Sequence, residues 1–347
     1  MKKVTYLFGA GASANCLPIV VDIPDRLNSF INFIHDNRIA TQEVFASLGI
    51  QKSIFEIEEE IMNDTRELIN EVKAHASIDT YAKKLRITAS KIPGNLKKYN
   101  SLKVVLSTFF IYEQLRQRVD SRYDSFFASI LKDSHIDFTE NIRIVSWNYD
   151  FQFEKAYSAF SGETSLHSNQ VLLKVFPSDL ATYNYQEGFS IFKVNGTTGY
   201  YNKSDGRNSI LYDDISTLNK KELIKNILWL YAASVYKNND FRSLLSFAWE
   251  RNWERSTQEF LKLTYKAVAD TEVLVIIGYS FPFFNREIDR SLLSSMEDQL
   301  KKIYVQDKKP QSVIDKLSSV LPETTDLKRL EIFPYETTDQ FYLPPEL

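Results

Sequence analysis

The chain has 347 residues, of which 44% are apolar and 25% charged, so it can bury a core and does not have the composition of a disordered protein. Its 42 basic and 45 acidic residues give a net charge of −3, which excludes a chain-wide basic surface for nucleic acid. The single cysteine, Cys16, excludes a disulfide framework and a four-cysteine zinc site, and indicates a reducing, cytoplasmic setting. We expect no membrane span, because the apolar helical run at residues 227–235 is about half the length that one requires.

Short apolar runs rich in β-branched residues predict the strands of a parallel sheet that is covered on both faces. They lie at residues 4–8, 142–146, 171–175, 190–194, 273–277, 303–305 and 330–333. Between the first two runs, apolar residues at three- and four-residue spacing predict helix over 41–69. A helix start at Ser77, a break at 93–95 and helices over 102–119 and 123–131 follow, and a second helical block covers 219–269 with Trp229, Trp249 and Trp253.

These elements predict an α/β fold with a Rossmann-like parallel sheet and two large helical insertions. We expect one domain over residues 1–347, with the insertions at residues 40–135 and 219–269.

The first strand runs directly into a glycine-containing loop, Gly9-Ala10-Gly11-Ala12-Ser13-Ala14. This loop fits the alanine-ended form of the dinucleotide fingerprint G-x-G-x-x-A, in which glycines let the backbone approach a pyrophosphate. The alternative is a tight turn whose small residues serve packing alone. The acidic residue that dehydrogenases carry about 20 residues further on is not in its usual context here, since the chain reads Asp22-Ile23-Pro24-Asp25.

Three further predicted strands end in polar or glycine residues: Ser146-Trp147-Asn148-Tyr149-Asp150, Lys193-Val194-Asn195-Gly196 and Gly278-Tyr279-Ser280. Ligands of open parallel sheets bind at the carboxyl ends of the strands. Each segment alone also fits an ordinary strand-to-loop exit. Together with the glycine loop, in this order, they favour a ligand site.

The four segments resemble the sirtuin-like NAD-binding proteins, in particular the bacterial branch found in anti-phage defence systems. The resemblance implies that the glycine loop holds the NAD phosphates, that Asn148 orients the ribose and the attacking nucleophile, and that Asp150 braces that turn. It implies that Asn195 contacts the ribose hydroxyls. The remaining cofactor-binding residues that it implies are Gly9, Ala10, Gly11, Ala12, Ser13, Pro24, Asp25, Gly196, Gly278, Tyr279 and Ser280.

Two departures from that family shape the expected chemistry. Asn195 stands where the family usually has a catalytic histidine, and an amide cannot take up a proton at neutral pH. Loss of a general base lowers a rate by about 10²–10⁴-fold. The four-cysteine zinc module of protein-deacylating sirtuins is absent from a chain with only Cys16. We therefore expect no metal site and no deacylation.

The leading hypothesis is an NAD+ hydrolase effector of anti-phage defence that cleaves NAD to ADP-ribose and nicotinamide. The resemblance implies control by homo-oligomerisation or by a protein partner such as a ring ATPase. The main alternative is a catalytically inactive module that binds NAD or ADP-ribose as a scaffold or sensor. A Rossmann oxidoreductase is a third and weaker alternative.

Overall fold

The computed structural model describes residues 2–19, 22–39, 41–131, 138–177, 187–203, 206–209, 219–252, 255–325 and 329–347. The chain divides into two compact units. The sheet unit consists of Met1–Cys16, Val119–Gly196 and Phe247–Leu347, and the helical unit consists of Leu17–Arg118 and Thr197–Ser246. The helical unit overlaps both predicted insertions.

The described residues form ten strands and eleven α-helices. The strands are β1 (Val4–Phe8), β2 (Ile142–Ser146), β3 (Val175–Phe176), β4 (Ser190–Lys193), β5 (Tyr200–Lys203), β6 (Gly206–Ser209), β7 (Arg242–Ser243), β8 (Val273–Ile277), β9 (Lys302–Gln306) and β10 (Glu331–Tyr335). The helices are α1 (Ile23–Asp36), α2 (Ile54–Ala74), α3 (Ile78–Thr88), α4 (Asn95–Arg116), α5 (Ser121–Ile130), α6 (Gln152–Ser161), α7 (Leu166–Leu172), α8 (Lys220–Tyr236), α9 (Arg255–Val268), α10 (Arg286–Met296) and α11 (Pro310–Ser318). In the described ranges, no helix is long and apolar enough to cross a bilayer.

The sheet unit is built on seven strands in the order β10-β9-β8-β1-β2-β4-β3, and all neighbouring strands are parallel. The Rossmann-like α/β fold is therefore confirmed. The chain builds the β2 side of the central strand β1 first and then crosses to the β8 side. This reversal puts the topological switch point, where open α/β sheets bind ligands, between β1 and β8.

Both faces of the sheet are covered, as its continuous apolar strands require. On one face Tyr6 and Phe8 pack into an aromatic cluster with Phe126 of α5 and Phe153 of α6. On the other face Leu7 belongs to the apolar core that α9, α10 and α11 complete. The central strands β1, β2 and β8 are consequently buried along their whole length.

The helical unit contains α1 to α4, α8 and an antiparallel sheet in the order β6-β5-β7. Helix α2 starts with a capping box, in which Ser53 and Glu56 satisfy each other's backbone N–H groups. Inside the unit, Arg26 Nη2 lies 2.5 Å from Oε2 of the fully buried Glu113. Burial raises the pKa of Glu113 although Arg26 opposes that rise.

Several element predictions need correction. Most of the predicted strand 171–175 is helix and turn, because Ser165 Oγ accepts the N–H of Ser168 and caps α7; only Val175 enters a strand. The helix predicted over 41–69 begins at Ile54, since the preceding segment turns at Gly49 in a left-handed conformation (φ +58°). The block 219–269 is two helices separated by β7 and a short 3-10 helix, and Trp253 lies outside the described residues.

Candidate functional site

The four predicted site segments follow β1, β2, β4 and β8, which are adjacent in the sheet. Because these strands are parallel, their carboxyl ends lie along one edge, and the segments are neighbours there. Two predicted cofactor-binding residues are in the helical unit instead: Pro24 and Asp25 lie in the first turn of α1, where Pro24 is half-buried and Asp25 is exposed.

The glycine loop packs directly on the backbone that follows β8. The N–H groups of Gly9 and Gly11 donate to the carbonyl oxygens of Ile277 (3.0 Å) and Gly278 (2.9 Å). A Cβ on Gly9 would lie 2.6 Å from Gly278 O, and one on Gly11 would lie 2.8 Å from Gly278 Cα. Close backbone packing therefore explains why both positions are glycine. The N–H groups of Gly9 and Gly11 already donate hydrogen bonds within the protein.

Ser13 is the centre of a buried hydrogen-bond network. Its Oγ donates to Asp150 Oδ2 at 2.7 Å and lies 2.8 Å from the Tyr123 hydroxyl. A serine hydroxyl has one proton, so Tyr123 is the donor in the second bond. Asn148 Nδ2 donates to the same Ser13 Oγ at 3.3 Å. Ser13 thus has its full set of three bonds and ties the glycine loop to the turn after β2.

The amide of Asn148 has a defined orientation. Its Nδ2 donates to Gly9 O at 3.0 Å as well as to Ser13, and its backbone N–H donates to Ser146 Oγ at 3.1 Å. Both amide hydrogens are used by the protein. The half-buried side chain therefore offers a ligand its carbonyl oxygen, Oδ1, which is a hydrogen-bond acceptor.

Asn195 presents a second acceptor. Its Nδ2 donates to the backbone oxygen of Trp147 at 3.3 Å, and a carbonyl oxygen only accepts, so the nitrogen must face it. The side-chain Oδ1 is buried and has no hydrogen-bond partner among the residues that the structure describes. An unpaired buried acceptor costs about 1–3 kcal/mol.

A buried ion pair supports the turn after β2. Lys193 Nζ donates to Glu154 Oε1 at 2.5 Å and to the backbone oxygen of Asp150 at 2.6 Å, and Gln170 Nε2 donates to Glu154 Oε1 at 2.8 Å. The Asp150 carboxylate also accepts from the backbone N–H of Gln152. Burial raises the pKa of Asp150, and the nearby charge of Lys193 opposes that rise.

Arg122 holds the far end of the glycine loop. Its Nη2 donates to Ala12 O at 2.8 Å, while its guanidinium is paired with Asp120 and lies over the Phe341 ring. Sequence reasoning missed Arg122, Lys193 and Glu154 as supporting residues. For Lys193 a signal existed, since it is the one charged residue in the predicted strand 190–194.

The three predicted site residues that follow β8 differ in how far they are exposed. Gly278 is half-buried in a left-handed conformation (φ +58°), and Ser280 is exposed. The Tyr279 side chain is buried, and its hydroxyl donates into the protein to Asp289. Within the described ranges, no group of three or more His, Cys, Asp or Glu side chains is arranged to hold a metal ion.

No protein-family model and no curated protein matches the chain. Among solved structures it is similar to a Sir2 protein in complex with an inhibitor, 2'-O-acetyl-ADP-ribose and a deacetylated peptide, at a TM-score of 0.40 and 10% identity over 97% of this chain and 89% of that one. It is also similar to a structure described as the structural basis of sirtuin substrate affinity, at a TM-score of 0.38 and 9% identity over 96% and 88% of the two chains.

Proposed function

We propose that the protein binds NAD at the carboxyl edge of its sheet and hydrolyses it to nicotinamide and ADP-ribose. The observation that carries the proposal is the buried, unpartnered Oδ1 of Asn195 beside a strand exit that also presents Asn148, at an edge where the glycine loop follows β1. Asn148 and Asn195 each donate from the amide nitrogen to the protein and offer the side-chain oxygen as an acceptor, which suits a ligand rich in hydroxyl donors. The ribose of a dinucleotide is such a ligand.

In this proposal the bond between ribose C1′ and the nicotinamide nitrogen breaks, and both electrons leave with nicotinamide, which becomes neutral. A water molecule adds to C1′ and its proton passes to solvent. Asn148 Oδ1 would accept a hydrogen bond from that water, and Asn195 Oδ1 would accept one from a ribose hydroxyl. The protein then contributes orientation and charge stabilisation. Asn195 contributes no general base, so the expected turnover is slow.

Because its site segments resemble those of the anti-phage defence branch of sirtuin-like proteins, we extend the proposal to a cytoplasmic effector of anti-phage defence, held inactive by self-association or by a partner such as a ring ATPase. Light scattering of the purified chain, alone and with such a partner, tests that part. The second candidate function is an inactive NAD or ADP-ribose binding module. The absence of a titratable group at position 195 and the packing role of Gly9 and Gly11 favour it.

The test is to incubate the purified protein with NAD and to measure nicotinamide and ADP-ribose by chromatography. Asn148→Ala should abolish product formation. The matched control is Asn141→Ala, which removes a buried asparagine at the opposite end of β2, where its Nδ2 donates to Lys2 O. Equal activity of the two variants would contradict the catalytic role of Asn148. Binding without cleavage by the unmodified protein would support the binding module, and no binding would overturn both.

A further inference from the structure

A buried carboxyl group that is not among the predicted site residues accepts a hydrogen bond from one of them, Tyr279. Asp289, on α10, is 1% exposed. The Tyr279 hydroxyl lies 3.0 Å from its Oδ1 and 2.9 Å from its Oδ2, and Asn285 Nδ2 donates to the same hydroxyl at 3.0 Å. The hydroxyl of Tyr279 therefore has one acceptor and one donor within the protein and is not directed at a ligand.

The ring of Tyr279, whose hydroxyl is held by Asp289, also contacts a residue that follows β2. It stacks on Trp147, with ring centroids 5.7 Å apart and planes inclined by 9°. Trp147 precedes Asn148 in the chain, and its backbone oxygen is the acceptor that orients Asn195. The position of Trp147 therefore affects the positions of Asn148 and Asn195, whose side-chain oxygens are the proposed acceptors for the ligand.

The backbone after Tyr279 is also held in an unusual conformation. Phe281 has a φ of +50°, in a region that bulky residues rarely adopt. Its ring packs edge-on against the ring of Tyr279, with the two ring centroids 4.8 Å apart. Such strain persists where surrounding contacts impose it and is common at functional sites. The anchored ring of Tyr279 supplies one such contact.

We infer that Asp289 is a positioning residue for ligand binding, which acts by holding the Tyr279 hydroxyl so that the Tyr279 ring fixes Trp147 and, through it, Asn148 and Asn195. This inference rests on the proposed function. Burial raises the pKa of Asp289 to about 8, and the side chains of Tyr279 and Trp147 oppose the rise. The group is consequently mostly neutral at pH 7, and asparagine is a close substitute that keeps an acceptor.

The experiment measures NAD and ADP-ribose binding by calorimetry at pH 7 for five variants. Asp289→Leu leaves the Tyr279 hydroxyl without its acceptor and should weaken binding by about tenfold, as expected for one unpaired buried polar group. Asp289→Asn should restore binding to within about twofold, because its carbonyl oxygen accepts the same bond. Glu287→Leu, an exposed acid on the same helix, is the matched control and should bind as the unmodified protein does.

The fourth variant, Asp289→Leu with Tyr279→Phe, tests the route of the effect. If Asp289 acts through the hydroxyl, adding Tyr279→Phe should weaken binding no further, which a double-mutant cycle with the single Tyr279→Phe variant measures. Additive losses would overturn the inference, and so would unchanged affinity in Asp289→Leu with a lowered melting temperature, since that pattern marks a structural role alone. Lack of NAD and ADP-ribose binding by the unmodified protein would instead overturn the proposed function, and the inference with it.

Discussion

The backbones of Gly11 and Gly278 touch: the N–H of Gly11 donates to Gly278 O at 2.9 Å, and a Cβ on Gly278 would lie 2.5 Å from Ala12 N. This contact joins the loop after β1 to the loop after β8 at the switch point of the sheet. A side chain at either position would force the two loops apart.

Gly11→Ala should therefore destabilise the fold, by about 1–3 kcal/mol as for other overpacked sites. The control is Gly162→Ala, at φ +73° with nothing within 4 Å of the added Cβ, which should cost only about 1 kcal/mol of conformational strain. Urea unfolding of both variants measures the difference. If Gly11→Ala leaves stability unchanged but abolishes NAD binding, glycine is required at this position for the approach of the ligand and not for packing against Gly278.

Removing one member of the buried ion pair should destabilise the fold more than removing both. Lys193→Met leaves the Glu154 carboxylate uncompensated in the interior and should lower the free energy of unfolding by about 3–5 kcal/mol. The double variant Lys193→Met, Glu154→Leu should recover part of that loss, because no unpaired charge remains although Asp150 O and Gln170 Nε2 each lose a partner. Urea denaturation of the two single variants and the double variant tests this, and additive losses would mean that the pair is not energetically coupled.

Asn195→His should raise NAD hydrolysis if the site retains the geometry of its proposed family. Histidine titrates near neutral pH, so it can supply the missing base and increase the rate by up to about 100-fold. The gain should disappear at acidic pH as the imidazole becomes protonated, whereas the unmodified protein should show no such titration. High activity of the unmodified protein with no gain in the variant would mean that positioning alone suffices for cleavage.

Asp289 should make stability depend on pH. Burial raises its pKa in the folded state to about 8, well above the ordinary value of 3.8. Between about pH 4 and 8 the unfolded chain has lost a proton that the folded chain retains, so this group lowers stability as pH rises, by up to about 1.4 kcal/mol per pH unit. Asp289→Asn should therefore gain stability relative to the unmodified protein from pH 5 to pH 8. A constant difference in urea unfolding across that range would contradict the raised pKa.

The sequence predicts the central strands well and the supporting contacts poorly. The bounds of β1, β2 and β8 follow from short runs rich in β-branched and aromatic residues, and the polar and glycine residues after them mark the edge where the candidate site lies. The run at 171–175 misleads because Val171 and Leu172 are apolar yet lie exposed at the end of a capped helix. Local apolar content cannot distinguish such a helix end from a short strand.

The residues that support the candidate site make contacts with residues far away in the chain. Arg122 reaches Ala12 O across 110 residues, and Lys193 reaches Glu154 across 39. Charged residues on helices are usually solvated, so neither partner can be identified from its local sequence. Their roles emerge only when the sheet order is known.

The position of β1 has a consequence for how the chain is made. Val4 pairs with Ile142 on one side and with Val273 on the other, so the strand of this sheet that is synthesised before the others is its central strand. One of its edges stays unpaired until the segment Val273–Ile277 has been synthesised. An open, apolar strand edge is a template for association with other chains. Nascent or prematurely terminated chains that end before β8 should therefore aggregate, and they are the ones that most need a chaperone.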